Sequence, residues 1–471
     1  MASIKLPIVG GAYKDPNSVI GCQTCINLYP EVTQGSEKTV SALLPTPAMK
    51  TLYGTHTAAK CRGFTALSNG NIYAVYGHEL YKLDDTFEPM PDVYIDGDKP
   101  VIIAENSQYA CFVSDSTVYT LDMISGEWAQ YGAQLLYPAD DVTTLAQRFI
   151  FNRRGTGQIF WTDTLSTNID PLSFATAEAS PDNVTAIQAH QKQLWVFGDT
   201  STEIWYATGD DDAAFLPMQG AAINAGCLLP QTIQRFGESL VWLSNSINGN
   251  SQVVMTQGYQ VQRISNHALE KELSSYDKTD ASAYVYQETG HSFYVLNIPR
   301  ANKTWVFDGA TGLWHERALF RNGEFVRHPS QYHAMHKGRH IFAHVDQITL
   351  MTNSSDYMDV IGDESLPQVR ERSTHAVSRT QGMVRHNRLT LIAQQATGAV
   401  NSTYDPQVML SWSDNDGVSW SDTRWRGLGK RGEHKKRTFW TRLGASRNRA
   451  YRIRVTDAAM LVITGAELEV S

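Results

Sequence analysis

The sequence predicts an all-β protein: a six- or seven-bladed β-propeller followed by a C-terminal domain resembling a β-sandwich. Helical periodicity is nearly absent, and short apolar-alternating runs bounded by Asn, Gly, Asp and Ser recur instead, as in meandering antiparallel strands. These runs start roughly 40 to 50 residues apart, the length of a four-stranded propeller blade. Charge is also divided along the chain. From Val369 onward 17 Lys and Arg face 9 Asp and Glu, net +8, while the remainder holds 23 against 39, net −16.

Taken in order, residues 1–60 read as an N-terminal arm, with the run TVSALLPTPAMKTLY at 39–53 as the strand that closes the ring. The propeller is placed at 61–361. Residues 61–84 read as three strands joined by tight turns, and the scheme returns at 101–122, 142–163, 184–207, 232–264, 281–316 and 331–351. A lone blade cannot bury both faces; arranged radially, each sheet packs on its neighbours and leaves only short protected edges. The pattern breaks after Ile361 at GDESLPQVRERS, where charge density rises, and a boundary is expected there. HNRLTLIAQQA, PQVMLSWSD, TFWTRLG, AYRIRVTD and MLVITGAELEV then supply alternating strands for a basic sandwich at 362–471.

Composition excludes several classes. With 42% hydrophobic and 19% charged residues among 471, the chain is globular rather than disordered. No run approaches the roughly 20 apolar residues of a membrane helix, and the N-terminal apolar run is short for a secretory signal. Synthesis in a cytoplasm without membrane insertion is therefore expected. Five cysteines, an odd and sparse set, argue against a disulfide framework, and Cys22-x-x-Cys25 has no second pair at zinc-ligand spacing. His328, His333, His336, His340 and His344 crowd one predicted blade, but their spacings do not place them on one strand face. The turn Asp210, Asp211 and Asp212 reads as a solvated loop.

The motif SDNDGVSW (413–420) is similar to the Asp-box hairpin of sialidase-type propellers, where the short polar side chains bond the turn and the Trp packs beneath it. As an EF-hand it fails, because Trp412 would occupy the first ligand position. There is no G-x-S-x-G, and GLGK fails as a phosphate loop because Arg424 replaces its first Gly and Arg431 its Ser or Thr. No catalytic residue, metal site or cofactor is expected. The alternatives are a sialidase-like or glycan-binding propeller and a basic module that binds nucleic acid.

Between 424 and 454, 12 basic residues face one acid, Glu433. So much like charge predicts a docking surface for an acidic partner, with Arg424, Arg426, Lys430, Arg431, Lys435, Lys436, Arg437 and Arg442 as its candidates.

Two stretches carry a family likeness. NLYPE (27–31) followed by ALLPTPAMKTLYG, and the terminal LSWSDNDGVSWSDTRWRGLGKRGEHKKRTFWTRLGASRNRAYRIRVTDAAMLVITGAELEV, resemble the packaged-DNA stabilisation proteins of short-tailed bacteriophages, also called tail accessory or tail hub proteins. The resemblance implies a structural protein of the virion tail. It implies a homo-oligomeric ring, six-fold by analogy, below the portal and adaptor proteins. Such a ring extends the DNA channel, touches genomic DNA in transit, retains the packaged genome and carries the tail needle or plug and the tailspikes.

Overall fold

A computed structural model describes residues 2–15, 21–33, 41–131, 137–177, 180, 182–210, 213–227, 229–245, 251–378, 382–394 and 404–471. The chain is all-β, and its propeller has seven blades. The first four are antiparallel sheets whose four strands run in sequence order across the blade, spanning 61–94, 102–130, 142–176 and 184–217. The fifth is built on Gln234–Phe236, Ser239–Asn245, Ser251–Gln257 and Gln260–Arg263, and the sixth on four strands within 282–316.

The seventh blade takes Ser330–His336, Arg339–His344 and Gln347–Ser354 from one end of the repeat and Ala48–Ala58 from the other. The ring thus closes by an antiparallel pairing that runs from Ala48↔Ser354 to Ala58↔Gln347. Gly54 sits in this strand at φ +110°, where a Cβ would lie 2.2 Å from the Ile348 carbonyl oxygen, so only glycine fits the bulge.

Apolar side chains leave both faces of each blade and meet those of the next. Val75 meets Phe112, Val113 meets Phe149, Trp161 meets Trp205 and Phe197 meets Trp242. Leu243 then meets Leu296, Val306 meets Phe342, and Ile341 and Leu350 of the seventh blade return to Ile72 and Tyr76 of the first. Each fully buried side chain of this size contributes about 1.5–3 kcal/mol, so the seam from seventh blade to first is as apolar as the others.

The sandwich is not a separate body hung on a linker. Leu313–Glu316, the outer strand of the sixth blade, pairs in parallel with Cys25–Ile26, and the sheet continues through Arg370–Ser373, Asn448–Val455 and Gln407–Ser413 to Arg424–Gly427. Facing it is a sheet of Thr438–Thr441, Val384–Ala393, Ile463–Val470, Ser41–Pro45 and Leu28–Val32, with Ala2–Leu6 also paired to Ile463–Val470. Leu389, Leu391 and Leu468 of one sheet pack on Leu410, Tyr451 and Ile453 of the other.

One feature of this layout differs from the sequence reading. Of the segment 39–53, residues 39–40 lie outside the described residues, Ser41–Pro45 pairs within the sandwich, and only the part from Ala48 onward joins the closing strand. The charged run VRERS is an interior strand, with Arg370, Glu371 and Arg372 all buried. Its charges are met by distant segments: Arg370 donates to the carbonyls of Asp457 and Ala459, and Glu371 pairs with Arg454.

All five cysteines are buried free thiols, and burial pushes Cys25 up to about 11 and Cys227 up to about 12. We expect no reaction with a thiol-specific chromogenic disulfide in native buffer and five equivalents per chain in denaturant. Any rapid native equivalent contradicts this packing.

Candidate functional site

Three regions gather polar side chains: the ring centre, the junction of propeller and sandwich, and the outer seam of the sandwich. At the centre, the innermost strands line a cavity of about 840 Å3. Its carboxylates hold neighbouring strands. Glu105 accepts from the Ser68 N–H and hydroxyl, while Asp141 accepts from the N–H of the following residue, Val142, and, at 2.7 Å, from that of Ile187 in the next blade. Burial pushes the Asp141 carboxyl up to about 8, against the downward pull of those two N–H groups. Arg235, also lining the cavity, donates to the Ala189 carbonyl at 2.6 Å.

At the junction, NLYPE does the joining. Asn27, 1% exposed at φ +55°, donates from Nδ2 to the carbonyls of Ala318 and Val369 at 2.7 and 2.8 Å and accepts from the Ala318 N–H at 2.9 Å. One side chain thereby ties the N-terminal segment to the end of the sixth blade and to the start of the sandwich. Glu31 accepts from His291 at 2.6 Å, and the other imidazole nitrogen lies 2.9 Å from Asp308. Burial opposes the charged imidazole, but the hydrogen bonds to Glu31 and Asp308 outweigh it and hold its pKa above the usual value. Arg372, 1% exposed, donates to the carbonyls of Ile8, Gly11 and Thr24, and Arg317 to that of Pro47. Nothing local in sequence distinguishes these interior guanidinium groups from solvated ones; only their distant carbonyl partners do.

The SDNDGVSW turn is structural. The Ser413 hydroxyl accepts from the Gly417 N–H at 2.9 Å, Asn415 accepts from the Ser419 N–H at 2.9 Å, and Trp420 packs beside Cys22, Ala376 and Ala450. Asp414 forms a two-pronged pair with the buried Arg449 at 2.6 and 2.8 Å. The clustered histidines disperse onto separate partners: His328 on Ser330, His336 on the Asp84 carbonyl, and His333 on His340. Among the described residues no three His, Cys, Asp or Glu converge on a point that could hold a metal ion. Asp211 and Asp212 lie outside the described residues.

The third region holds the predicted cations. Arg424 and Arg426 lie on the edge strand of one sandwich sheet and donate across the seam to the carbonyls of Thr441, Arg442 and Phe439 on the other sheet. Lys430, Arg431, Lys435, Arg437 and Arg442 are exposed around them. Lys436 is half-buried and paired with Asp405, so its charge is matched within the chain. Further along, Arg452 and Arg454 turn to the buried Glu371, with Arg454 Nε 2.8 Å from its carboxylate. The stretch that looks uniformly basic in sequence is thus partly internal ion pairing and partly an outward-facing cationic seam. Two large aromatics stand in that seam: Trp425 is 50% exposed and Phe439 38%, the latter with the Arg388 guanidinium 4.0 Å from its ring centre.

A closed seven-bladed ring continuous with a two-sheet sandwich defines a β-propeller protein with a C-terminal β-sandwich. The chain belongs to the bacteriophage P22 Gp10 family: the family's β-propeller model matches residues 4–337 and its β-sandwich model residues 369–471. It is accordingly a bacteriophage structural protein. No curated protein matches the chain. Similar solved structures include the N-terminal domain of Nup159, at 10% identity over 70% of this chain and 98% of that one with a TM-score of 0.39. PorZ of Porphyromonas gingivalis matches at 15% identity over 73% of this chain and 45% of that one, TM-score 0.38. YCF48 bound to D1 peptide matches at 12% identity over 66% and 98%, TM-score 0.41. Among the described residues no helix is long and apolar enough to cross a membrane.

Proposed function

We propose that the chain is a component of a short phage tail: copies form a ring beneath the portal and adaptor proteins, extend the DNA channel, retain the packaged genome and dock the needle and tailspikes. The observation that carries this reading is the cationic, aromatic seam on a protein of the P22 Gp10 family. The seam supplies a contact surface, and the net −16 of the remaining chain suits a conduit along which DNA moves without phosphate contacts that would hold it.

Charge reversal at Lys430, Lys435 and Arg437 tests the reading, because all three are exposed and their loss leaves the core untouched. The variant folds with the wild-type melting profile, yet particles assembled with it package DNA and then release it at least tenfold faster, as measured by nuclease-accessible DNA. Wild-type incorporation and DNA retention by this variant would sink the proposal.

A further inference from the structure

We propose that the cationic seam of the sandwich docks on the acidic outer strand of the first propeller blade of a second copy of this chain, joining copies head to tail. This deepens the ring reading above and rests on it. The two surfaces are complementary in charge. Between Asp84 and Asp98 the chain carries six acids and no Lys or Arg, and most of this run is the strand Phe87–Tyr94 at the outer edge of its blade. Glu88, Asp92, Asp96 and Asp98 are exposed, and among the described residues none of them forms an ion pair. Opposite in sign, Lys430, Lys435 and Arg437 are exposed and likewise form no ion pair among the described residues.

They are complementary in apolar content too. Tyr94 is 56% exposed at the end of the acidic strand, as Trp425 and Phe439 are on the seam. Seven of the 17 exposed large apolar side chains among the described residues follow residue 382, so the sandwich presents apolar surface out of proportion to its length. Trp, Tyr and Arg in partly open positions are the residues that anchor protein interfaces, and opposite charge around them sets partner and register. Pro89 and Pro91 remove two N–H donors from the acidic edge, which excludes simple strand addition and leaves side-chain docking as the mode of contact. In the head-to-tail arrangement the seam and the acidic strand of one copy engage different neighbours, so the contact is heterologous and builds a closed ring or an open filament.

The test uses two full-length variants. One carries Lys430→Glu, Lys435→Glu and Arg437→Glu; the other carries Glu88→Lys, Asp96→Lys and Asp98→Lys. Carbodiimide cross-linking of the wild-type protein joins the 430–437 lysines to carboxylates of 84–98 in a neighbouring copy. Each variant alone loses at least tenfold of that product while keeping the wild-type melting profile. An equimolar mixture restores it, because each variant's reversed surface now meets an opposite charge on the other. Absence of these cross-links in both the wild-type protein and purified particles overturns the inference. So does wild-type association by either variant, or a mixture that stays apart. If the first variant instead loses affinity for duplex DNA while self-association is unchanged, phosphate rather than a second copy is the partner. Incorporation into particles without these cross-links would sink this interface and leave the tail-ring reading standing.

Discussion

Asn27→Ala lowers the unfolding free energy by about 3–5 kcal/mol. The side chain makes three hydrogen bonds of 2.7–2.9 Å to Ala318 and Val369 in a site that is 1% exposed. Truncation strands one buried N–H and two buried carbonyls, each at a cost of about 1–3 kcal/mol when water cannot replace the partner. Alanine also fits poorly at φ +55°, a left-handed conformation that costs an L-residue roughly 1–2 kcal/mol and that asparagine tolerates better. Asn27→Gly separates the two causes: it relieves the backbone and restores about 1 kcal/mol, leaving the hydrogen-bond deficit. Urea unfolding followed by tryptophan fluorescence reads both variants. A loss below 1 kcal/mol in Asn27→Ala would mean that the junction is not held by this side chain.

The same residue shows what the sequence revealed and what it hid. NLYPE stood out as a family likeness, but its physical task, joining blade to sandwich, depends on partners 291 and 342 residues away. Six or seven blades were legible because three strands of each are apolar or alternate in polarity. The fourth strands were not, since WAQ, FAT and FLP are only three residues long and FEPMPDVY carries two prolines and little apolar alternation, features that suit outer edges that must resist pairing with another chain. The helix His267–Ser275 also escaped notice; its start is fixed by Asn266 accepting from the Leu269 N–H at 2.9 Å, and nine residues give too little periodicity to stand against the surrounding β pattern. Of the cationic stretch, the total charge was readable, but the division into interior pairs and outward seam was not. That division is made by Asp405, Asp414 and Glu371, which lie well outside the cluster in sequence.

Between about pH 6.5 and 8 the protein loses about 2 kcal/mol of stability through Asp141, and Asp141→Asn removes that loss. Burial raises this carboxyl to about 8, with Asp140 adding to the rise, so the folded chain keeps a proton that the unfolded chain, with an ordinary carboxylate, releases near pH 4. Where the folded state binds more protons, unfolding becomes easier as pH rises, by about 1.4 kcal/mol per pH unit for one group. Below about pH 6.5 this slope is obscured. Buried His333, His344 and His386 are pushed down to about 4 and His315 to about 3, so they stabilise the fold as pH rises toward the ordinary imidazole value, opposing Asp141. Asp359, raised to about 6 by burial, acts in the same direction as Asp141 but is spent by then. Above pH 6.5 those four histidines still shed protons in the unfolded chain, whose imidazoles titrate near the ordinary value, so they go on opposing the decline until about pH 7.5, equally in wild type and variant. His291, whose pKa is raised, still contributes a decline of the same sign. The difference between wild type and Asp141→Asn therefore isolates the one group. The amide cannot accept from both Val142 and Ile187, so the variant starts from a lower stability, and the slope is the quantity to read. Unfolding free energies from urea titrations at pH 6.5, 7.2 and 8 should show the variant gaining about 2 kcal/mol on the wild type across this range. Parallel lines for the two proteins would show that Asp141 is ionised inside the fold.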